Sequence, residues 1–355
     1  MITFEDDSEL AARVSVRGRG TGAIPKGRYE RVEAVFAEDE AQQVPTEIYK
    51  DSSRSIISTN DSPDLGFSAS FNPYRGCEHG CIYCYARPFH EYLGFSAGLD
   101  FETKIFAKME APALLRKAFM AKSWQPQVLM ISGVTDCYQP IERELKLTRQ
   151  CLEVMLEFRN PGGVITKNFL VTRDIDILQE LAAYNCIHVT LSITTLDKEL
   201  SRRMEPRASQ PERRLEAIRL LRDAGIPVSV NMAPIIPGLT DHEIPELLKR
   251  AAEAGAQSAH YTVVRLPHGV KDLFSEWLDE HYPLRKDKVM NRIRDVRGGK
   301  LYNSKFGERM KGEGMYAETI RQMFAKARAK YGLNKPYASL ETVHFSRPQV
   351  QLSLF

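Results

Sequence analysis

The 355-residue sequence predicts an α/β fold, a partial (βα)6 TIM-like barrel with an N-terminal arm and a basic C-terminal extension. Two observations predict it. Six short apolar or β-rich runs, at 65–71, 127–133, 163–167, 187–192, 227–233 and 258–265, alternate with helical patterns. Those patterns lie at about 111–122, 141–158, 174–184, 210–224 and 241–254. A strand that returns parallel to the one before it needs a crossover of that length, so the alternation implies a parallel sheet. A complete eightfold barrel needs roughly 250 residues, which favours an open, six-stranded portion.

Each region has its own signature. Residues 1–64 are polar, carry mixed charges and the run Arg17-Gly18-Arg19-Gly20, and show no sustained period, which predicts an extended arm, partly ordered against the main domain. The barrel is placed at 65–282. Within it Asp174 and Asp241 suit helix N-caps, while Gly225 and Gly255 follow helix ends. Residues 283–345 read as a basic, mainly helical extension and 346–355 as a tail. With 43% hydrophobic residues the chain can bury a full core. No apolar run approaches a membrane span, and Met1 to Asp7 lacks the charged and apolar regions of a signal peptide. A soluble, cytoplasmic protein with free thiols and no membrane partner is expected.

Net charge is only +3, but its distribution is uneven. Between His281 and Tyr331 fourteen Lys and Arg face five Asp and Glu, a net of +9, so the remainder is acidic. Clustered Lys and Arg release counterions on binding phosphates, and Tyr302, Phe306 and Tyr316 lie among them as stacking surfaces. A solvated helix face is the competing reading, above all for 318–330, where charges alternate with Ala.

The densest chemical signal is Arg75-Gly76-Cys77-Glu78-His79-Gly80-Cys81-Ile82-Tyr83-Cys84-Tyr85. Three thiolates this close, with flexible Gly76 and Gly80, can fold round one soft metal centre. Three sulfurs are one short of what a cubane iron–sulfur cluster needs, so one iron would stay open to a ligand. A disulfide framework fits poorly with six Cys spread over this length. A structural zinc site would need a fourth ligand; His79 and His90 are near, but no second Cys or His pair follows. Zinc and inert thiols remain the alternatives.

The C-x3-C-x2-C spacing, with an aromatic before the third Cys, resembles the radical S-adenosylmethionine (SAM) superfamily. Further runs resemble its spore photoproduct lyase-like branch. They are Asn72-Pro73-Tyr74-Arg75-Gly76-Cys77, Ser132-Gly133-Val134-Thr135-Asp136 with Tyr138-Gln139-Pro140, Ile165-Thr166-Lys167, Leu191-Ser192-Ile193, Met204-Glu205-Pro206 and Ala233-Pro234-Ile235. The resemblance spans about 67–265. It implies a 4Fe-4S cluster on Cys77, Cys81 and Cys84, with SAM chelating the open iron. An external electron donor would drive cleavage of SAM to methionine and a 5′-deoxyadenosyl radical. Carried over residue by residue, it implies that Tyr83 lies against the adenine, Lys167 holds the SAM carboxylate and Ser192 bonds the ribose or carboxylate. Asp136 would accept from the amino group, in place of the Gly-Gly-Glu motif many relatives carry.

Cys137 and Tyr138 are the candidates for returning hydrogen to a substrate radical. The lyase-like branch has its Cys upstream of the corresponding turn, whereas Cys137 follows Asp136. Plainer roles compete. Lys167 also fits a solvated lysine, Ser192 and Thr194 fit interior fill, and Tyr83 and Tyr85 fit core packing. Cys137 also fits a small buried hydrophobe, as do Cys151 and Cys186.

The ending Gln351-Leu352-Ser353-Leu354-Phe355 resembles the peptide by which bacterial repair and replication proteins dock on the DNA polymerase sliding clamp. Two apolar anchors entering pockets and an orienting amide suit that role. Tail packing on its own domain is the alternative. Together these features predict a radical SAM enzyme acting on DNA, in lesion repair, held by the clamp through Gln351, Leu352, Leu354 and Phe355. Modification of RNA or protein, or a clamp-associated redox sensor, are the other readings.

Overall fold

Six strands run parallel, side by side, where the apolar runs of the sequence lie. The computed structural model describes residues 16, 18–25, 27–29, 44–335 and 339–348. The chain opens with β1 (Glu47–Lys50), β2 (Ile57–Thr59), β3 (Ala69–Phe71) and β4 (Tyr74–Arg75). A 3-10 turn at Arg87–Leu93 leads to α1 (Leu99–Thr103), β5 (Lys104–Ala107) and α2 (Ala111–Met120). Next come β6 (Leu129–Ile131), α3 (Glu142–Leu145), α4 (Leu147–Phe158), β7 (Gly162–Thr166), α5 (Ile175–Ala183) and β8 (Ile187–Ser192). They are followed by α6 (Lys198–Met204), α7 (Pro211–Asp223), β9 (Val228–Ile235), α8 (Ile244–Glu253) and β10 (Ser258–Val263). The C-terminal helices are α9 (Val270–His281), α10 (Lys286–Asp295) and α11 (Gly314–Lys330).

The main sheet has the order β10-β9-β8-β7-β6-β3-β2. From β3 to β10 every neighbouring pair is parallel, and β2 adds antiparallel to β3. Register runs Ala69 to Leu129, Leu129 to Gly162 and Gly162 to Ile187. Every residue of β8 is buried, as expected of a central parallel strand covered on both faces. Among the described residues no pairing joins β10 to β2 or β3, so the sheet stays open, as the strand count predicts. A second sheet, β1-β5-β4, stands beside it and leads directly into Gly76 and Cys77.

Three details depart from the sequence expectations. The stretch assigned to an extended arm contributes β1 and β2, strands too short to leave a periodic signal. The pattern at 141–158 is two helices, because Lys146 is left-handed (φ 53°) and the Glu142 carboxylate accepts from the Thr148 amide at 3.0 Å to restart the turn. Asp174 and Asp241 do not cap their helices. Asp174 takes Tyr138, Arg149 and Arg173 instead, and Asp241 takes the Gly238 amide and the Tyr316 hydroxyl. Gly225 and Gly255 end their helices with positive φ.

The basic extension covers the exposed edge of β10, a strand edge that would otherwise present unpaired backbone groups. Val263 N donates to Met310 O at 2.9 Å and Ala259 N to Leu333 O at 3.1 Å. Arg309 then crosses to the loop between β2 and β3, meeting Asp64 and Ser62 at 2.5 Å each. Arg297, buried, donates to the carbonyls of Val263, Val264, Glu308 and Arg309 at 2.7–3.1 Å. Part of the +9 therefore serves the fold.

Past α11 the chain runs along the end of the sheet where strands begin. Glu341 N donates to Asn185 O, Ser346 N to Phe158 O, and Arg347 to the carbonyls of Phe119, Ala121 and Trp124. Gln351, Leu352, Leu354 and Phe355 lie outside the described residues. No helix among the described residues is long and apolar enough to cross a membrane.

Replacing Arg297 with Met leaves four carbonyls, two of them buried, without their donor. Urea unfolding of Arg297→Met should show a loss of roughly 2–4 kcal/mol.

Candidate active site

The three-cysteine loop follows β4 and is tied down at both ends and in the middle. Cys77 N donates to Phe101 O at 2.9 Å, Ile82 N to Met204 O at 3.0 Å and Cys84 N to Cys81 O at 3.1 Å. Gly80 adopts φ +66°, and a Cβ there would lie 2.6 Å from Glu102 Oε2, so glycine is required on both counts. Behind the loop sits a fully buried ion pair. Arg87 reaches Glu102 at 2.5 Å while donating to the carbonyls of Cys81, Ala97 and Gly98. The other Glu102 oxygen accepts from the Gly20 amide at 2.8 Å, which brings a described piece of the N-terminal region onto the loop.

Cys77, Cys81 and Cys84 are free thiols, the first two buried and the third half-buried. Burial raises all three thiols above their ordinary range, and for Cys77 the Asp136 carboxylate adds to it. Binding metal as thiolates would offset that cost. Among the described residues no group of three His, Cys, Asp or Glu is arranged to hold a single metal ion. Three thiols on one loop are the donor set of a cubane that keeps one iron open. Of the flanking side chains, His79 and Glu78 are already engaged, while His90 keeps Nε2 without a hydrogen-bond partner among the described residues, inside an aromatic cage. His79 sits with Nδ1 3.4 Å from Asp136 and Nε2 3.1 Å from Asn168 Nδ2. The Glu78 carboxylate is held by Thr46, the Ile141 amide and Arg207. His90 is packed among Phe95, Phe101 and Phe106, and burial lowers its pKa to about 4. The donor set fits a three-cysteine cluster.

Beside the loop, the ends of β7 and β8 converge on Glu205. Its Oε1 accepts from Tyr83, from Thr194 at 2.7 Å and from Lys167 at 3.1 Å, and its Oε2 from Arg214. Arg214, also buried, donates further to Ser192 O at 2.9 Å and Ser209 O at 2.6 Å. Lys167 Nζ adds the Ala233 carbonyl at 2.8 Å. Burial alone would raise the Glu205 carboxyl, but Arg214 and Lys167 together with the Tyr83 hydroxyl hold it well below the usual carboxylate range. This cluster brings together the predicted Tyr83, Lys167 and Ser192 around two residues that were not predicted. Glu205 stood within the quoted Met204-Glu205-Pro206 run, but nothing in the sequence pointed to Arg214 as its partner.

Asp136 is an anchor in this structure. Its Oδ1 accepts from Thr166 at 2.7 Å and the Tyr138 amide at 2.9 Å, and its Oδ2 from the Lys167 amide at 2.7 Å, with His79 beside it. Burial opposes the charge, yet His79 and these donors keep its carboxyl low. Little acceptor capacity remains for a SAM amino group. Tyr83 likewise turns its hydroxyl inward to Glu205 and Thr194, so it links loop to sheet.

Cys137 and Tyr138 depart from the hydrogen-return role. Both are fully buried in the main core, and the Tyr138 hydroxyl donates to Asp174 at 3.0 Å, into the helix layer. Burial pushes the Cys137 thiol far up. Their strand-end position is as expected, but core packing closes them off. Tyr85 behaves in the opposite way. Its hydroxyl donates to Gly133 O at 2.6 Å, Arg265 lies 5.0 Å from its ring centroid, and the ring is exposed.

Glu205→Gln strands Arg214 and should cost about 3–5 kcal/mol at neutral pH. Because folding depresses the Glu205 pKa below its ordinary value of 4.5, its contribution is complete above that pH. The contribution drains away as pH falls. Urea unfolding should therefore vary less with pH below 4.5 in Glu205→Gln than in the parent protein.

Comparison with known proteins agrees with this geometry. The radical SAM superfamily model matches residues 71–251. An uncharacterized protein of Mycobacterium tuberculosis is 33% identical over 273 residues, 76% of each chain. One from Methanocaldococcus jannaschii is 27% identical over 246 residues, 69% of this chain and 88% of the other. A radical SAM Nalpha-GlyT isomerase of Pseudomonas phage M6 is 25% identical over 189 residues, 52% of this chain and 36% of the other. Spore photoproduct lyase complexed with dinucleoside spore photoproduct has the same fold, with a TM-score of 0.57 at 14% identity over 82% of this chain and 85% of that one. With its three-cysteine loop at the mouth of an open parallel sheet, the chain belongs to the radical SAM superfamily, which uses a 4Fe-4S cluster and S-adenosylmethionine.

Proposed function

We propose that the protein is a radical SAM enzyme that acts on DNA, in lesion repair, and is held at its substrate by the sliding clamp. The observation that carries the first part is the single loop that presents three free thiols, Cys77, Cys81 and Cys84. Cys77, Cys81 and Cys84 hold the cluster. When bound, the cluster supplies the one-electron reduction of SAM that yields the 5′-deoxyadenosyl radical.

The chain's own residues prepare the site. Lys167 is the member of the Glu205 group that reaches solvent, with 15% of its side chain exposed against 0% for Glu205. Arg214, Thr194 and Tyr83 continue to satisfy Glu205 when Lys167 turns to the SAM carboxylate, a charge-assisted contact. Ser192, at the neighbouring strand end, offers a hydroxyl to the same ligand. Asp136 and Tyr83 keep the cysteine loop registered on β7 and β8.

The DNA part rests on the basic extension along the open edge of the sheet. The fold shared with spore photoproduct lyase, solved with a dinucleoside photoproduct, supports it. A second reading, isomerisation of the substrate, is favoured by the similarity to the phage isomerase.

Anaerobic reconstitution with iron and sulfide should give a reducible cluster and 5′-deoxyadenosine from SAM. Cys81→Ala should abolish both. A zinc ion filling the loop, or SAM cleavage by the Cys81→Ala protein, would refute the assignment. Deuterium placed in a lesion-bearing DNA should appear in 5′-deoxyadenosine, and product analysis separates bond cleavage from isomerisation. Deleting Leu354 and Phe355 should weaken binding to immobilised sliding clamp about tenfold or more, since both apolar anchors are lost.

A further inference from the structure

Large aromatic side chains left in water are uncommon enough that their placement carries information. Among the described residues five aromatic rings are strongly exposed: Tyr29, Tyr85, Phe89, Tyr92 and Phe306, each between 40% and 65% exposed. Three of them belong to the cysteine loop or the turn that follows it. Tyr85 is the residue after Cys84, and Phe89 and Tyr92 lie in the 3-10 turn Arg87–Leu93. Tyr29 stacks on Tyr92 with ring centroids 5.8 Å apart. Four of the exposed rings thus gather in a rim beside the cysteine loop, and Phe306 lies farther along, on the basic extension.

Each part of this rim also carries an arginine. Arg28 lies 5.4 Å from the Tyr29 centroid and 6.0 Å from that of Tyr92, Arg265 lies 5.0 Å from Tyr85, and Arg309 lies 4.4 Å from Phe306. The acids that pair with Arg28 and Arg309 face inward. Glu91 and Asp64 expose 5% and 6% of their side chains, against 31% and 18% for their arginines. The outward charge is therefore positive.

The elements place these groups in sequence across the mouth. Arg28 is 3.3 Å from His268, past the end of β10. Tyr85 spans from the end of β6 at Gly133 to Arg265 past β10. Arg265 Nη1 in turn lies 3.7 Å from Met310 Sδ, and the neighbouring Arg309 holds Asp64 next to Phe306.

Resting on the nucleic-acid reading above, we infer that this rim is a stacking track for an unpaired nucleic-acid segment. On it, Tyr29, Tyr92, Phe89, Tyr85 and Phe306 meet bases while Arg28, Arg265 and Arg309 meet phosphates. An intact duplex offers stacked, inaccessible base faces, so exposed rings gain little from it. Unpaired bases stack on them irrespective of sequence. The cysteine loop sits beside the track, so a base reaching it must leave its helix.

The test is fluorescence anisotropy of the full-length protein with one labelled sequence, as single-stranded DNA, as duplex DNA and as RNA. The expected result is tighter binding to the single strand than to the duplex. The Phe89→Ala, Tyr92→Ala double variant should bind the single strand about tenfold or more weakly. Phe306→Ala, at the far end, should bind less weakly than the double variant but below the parent. Thermal melting of the variants checks that they fold, and Phe306→Ala is read on its own should the double variant unfold. Parent-like binding by folded variants overturns the track while leaving the DNA reading intact. Tighter binding of RNA that depends on the same rings supports the track and overturns the DNA reading. Absence of binding to any of the three overturns both.

Discussion

A single buried carboxylate organises this molecule. Glu205 accepts from Tyr83 on the cysteine loop, Thr194 past β8, Lys167 past β7 and Arg214 on α7. Taking a carboxylate out of water costs several kcal/mol unless its lone pairs are met, and here four donors from four segments meet them. The same group therefore sets the position of the loop relative to the strand ends. A radical reaction needs that placement, because a reacting atom misplaced by an ångström forfeits much of the rate. Arg87 and Glu102 perform the matching task behind the loop, where guanidinium and carboxylate are both fully buried.

The second constraint is the open sheet. Six parallel strands leave two edges, and an exposed edge invites pairing with another chain. One edge receives β2, and the other receives the backbone of Met310 and Leu333. The basic extension thus has two tasks at once. Arg297 and Arg309 stitch the opening from within and across, while its other cations remain outside. Charge that composition alone assigns to a partner is divided between fold and surface.

Burial also separates residues that sequence position groups together. Asp136, Cys137 and Tyr138 are consecutive past β6, yet their surroundings differ completely. Asp136 joins β6 to β7 beside the site, while Cys137 and Tyr138 enter the main core. Tyr83 and Tyr85 flank Cys84 and point opposite ways, one to Glu205 and the other to the exposed rim. On a short irregular loop a side chain's direction follows the turn geometry.

Much of the fold was legible in the chain because its signals are local. Apolar runs of strand length, separated by helical periods, specify alternation, and alternation of that kind specifies a parallel sheet. The spacing of Cys77, Cys81 and Cys84 is legible for the same reason, since three candidate ligands from one turn need no distant partner. What the chain alone left open depends on contacts between remote segments. Tyr83 and Glu205 are 122 residues apart, and Arg309 meets Asp64 across 245. The sequence by itself determined the alternation of six parallel strands with helices and the superfamily, and it singled out three candidate cluster cysteines. Only the tertiary structure decided which carboxylate each buried cation meets, that Asp136 is an anchor and that Cys137 is sealed in the core. The physical reason is that charge pairing and burial are set by three-dimensional neighbours, which periodicity and spacing do not encode.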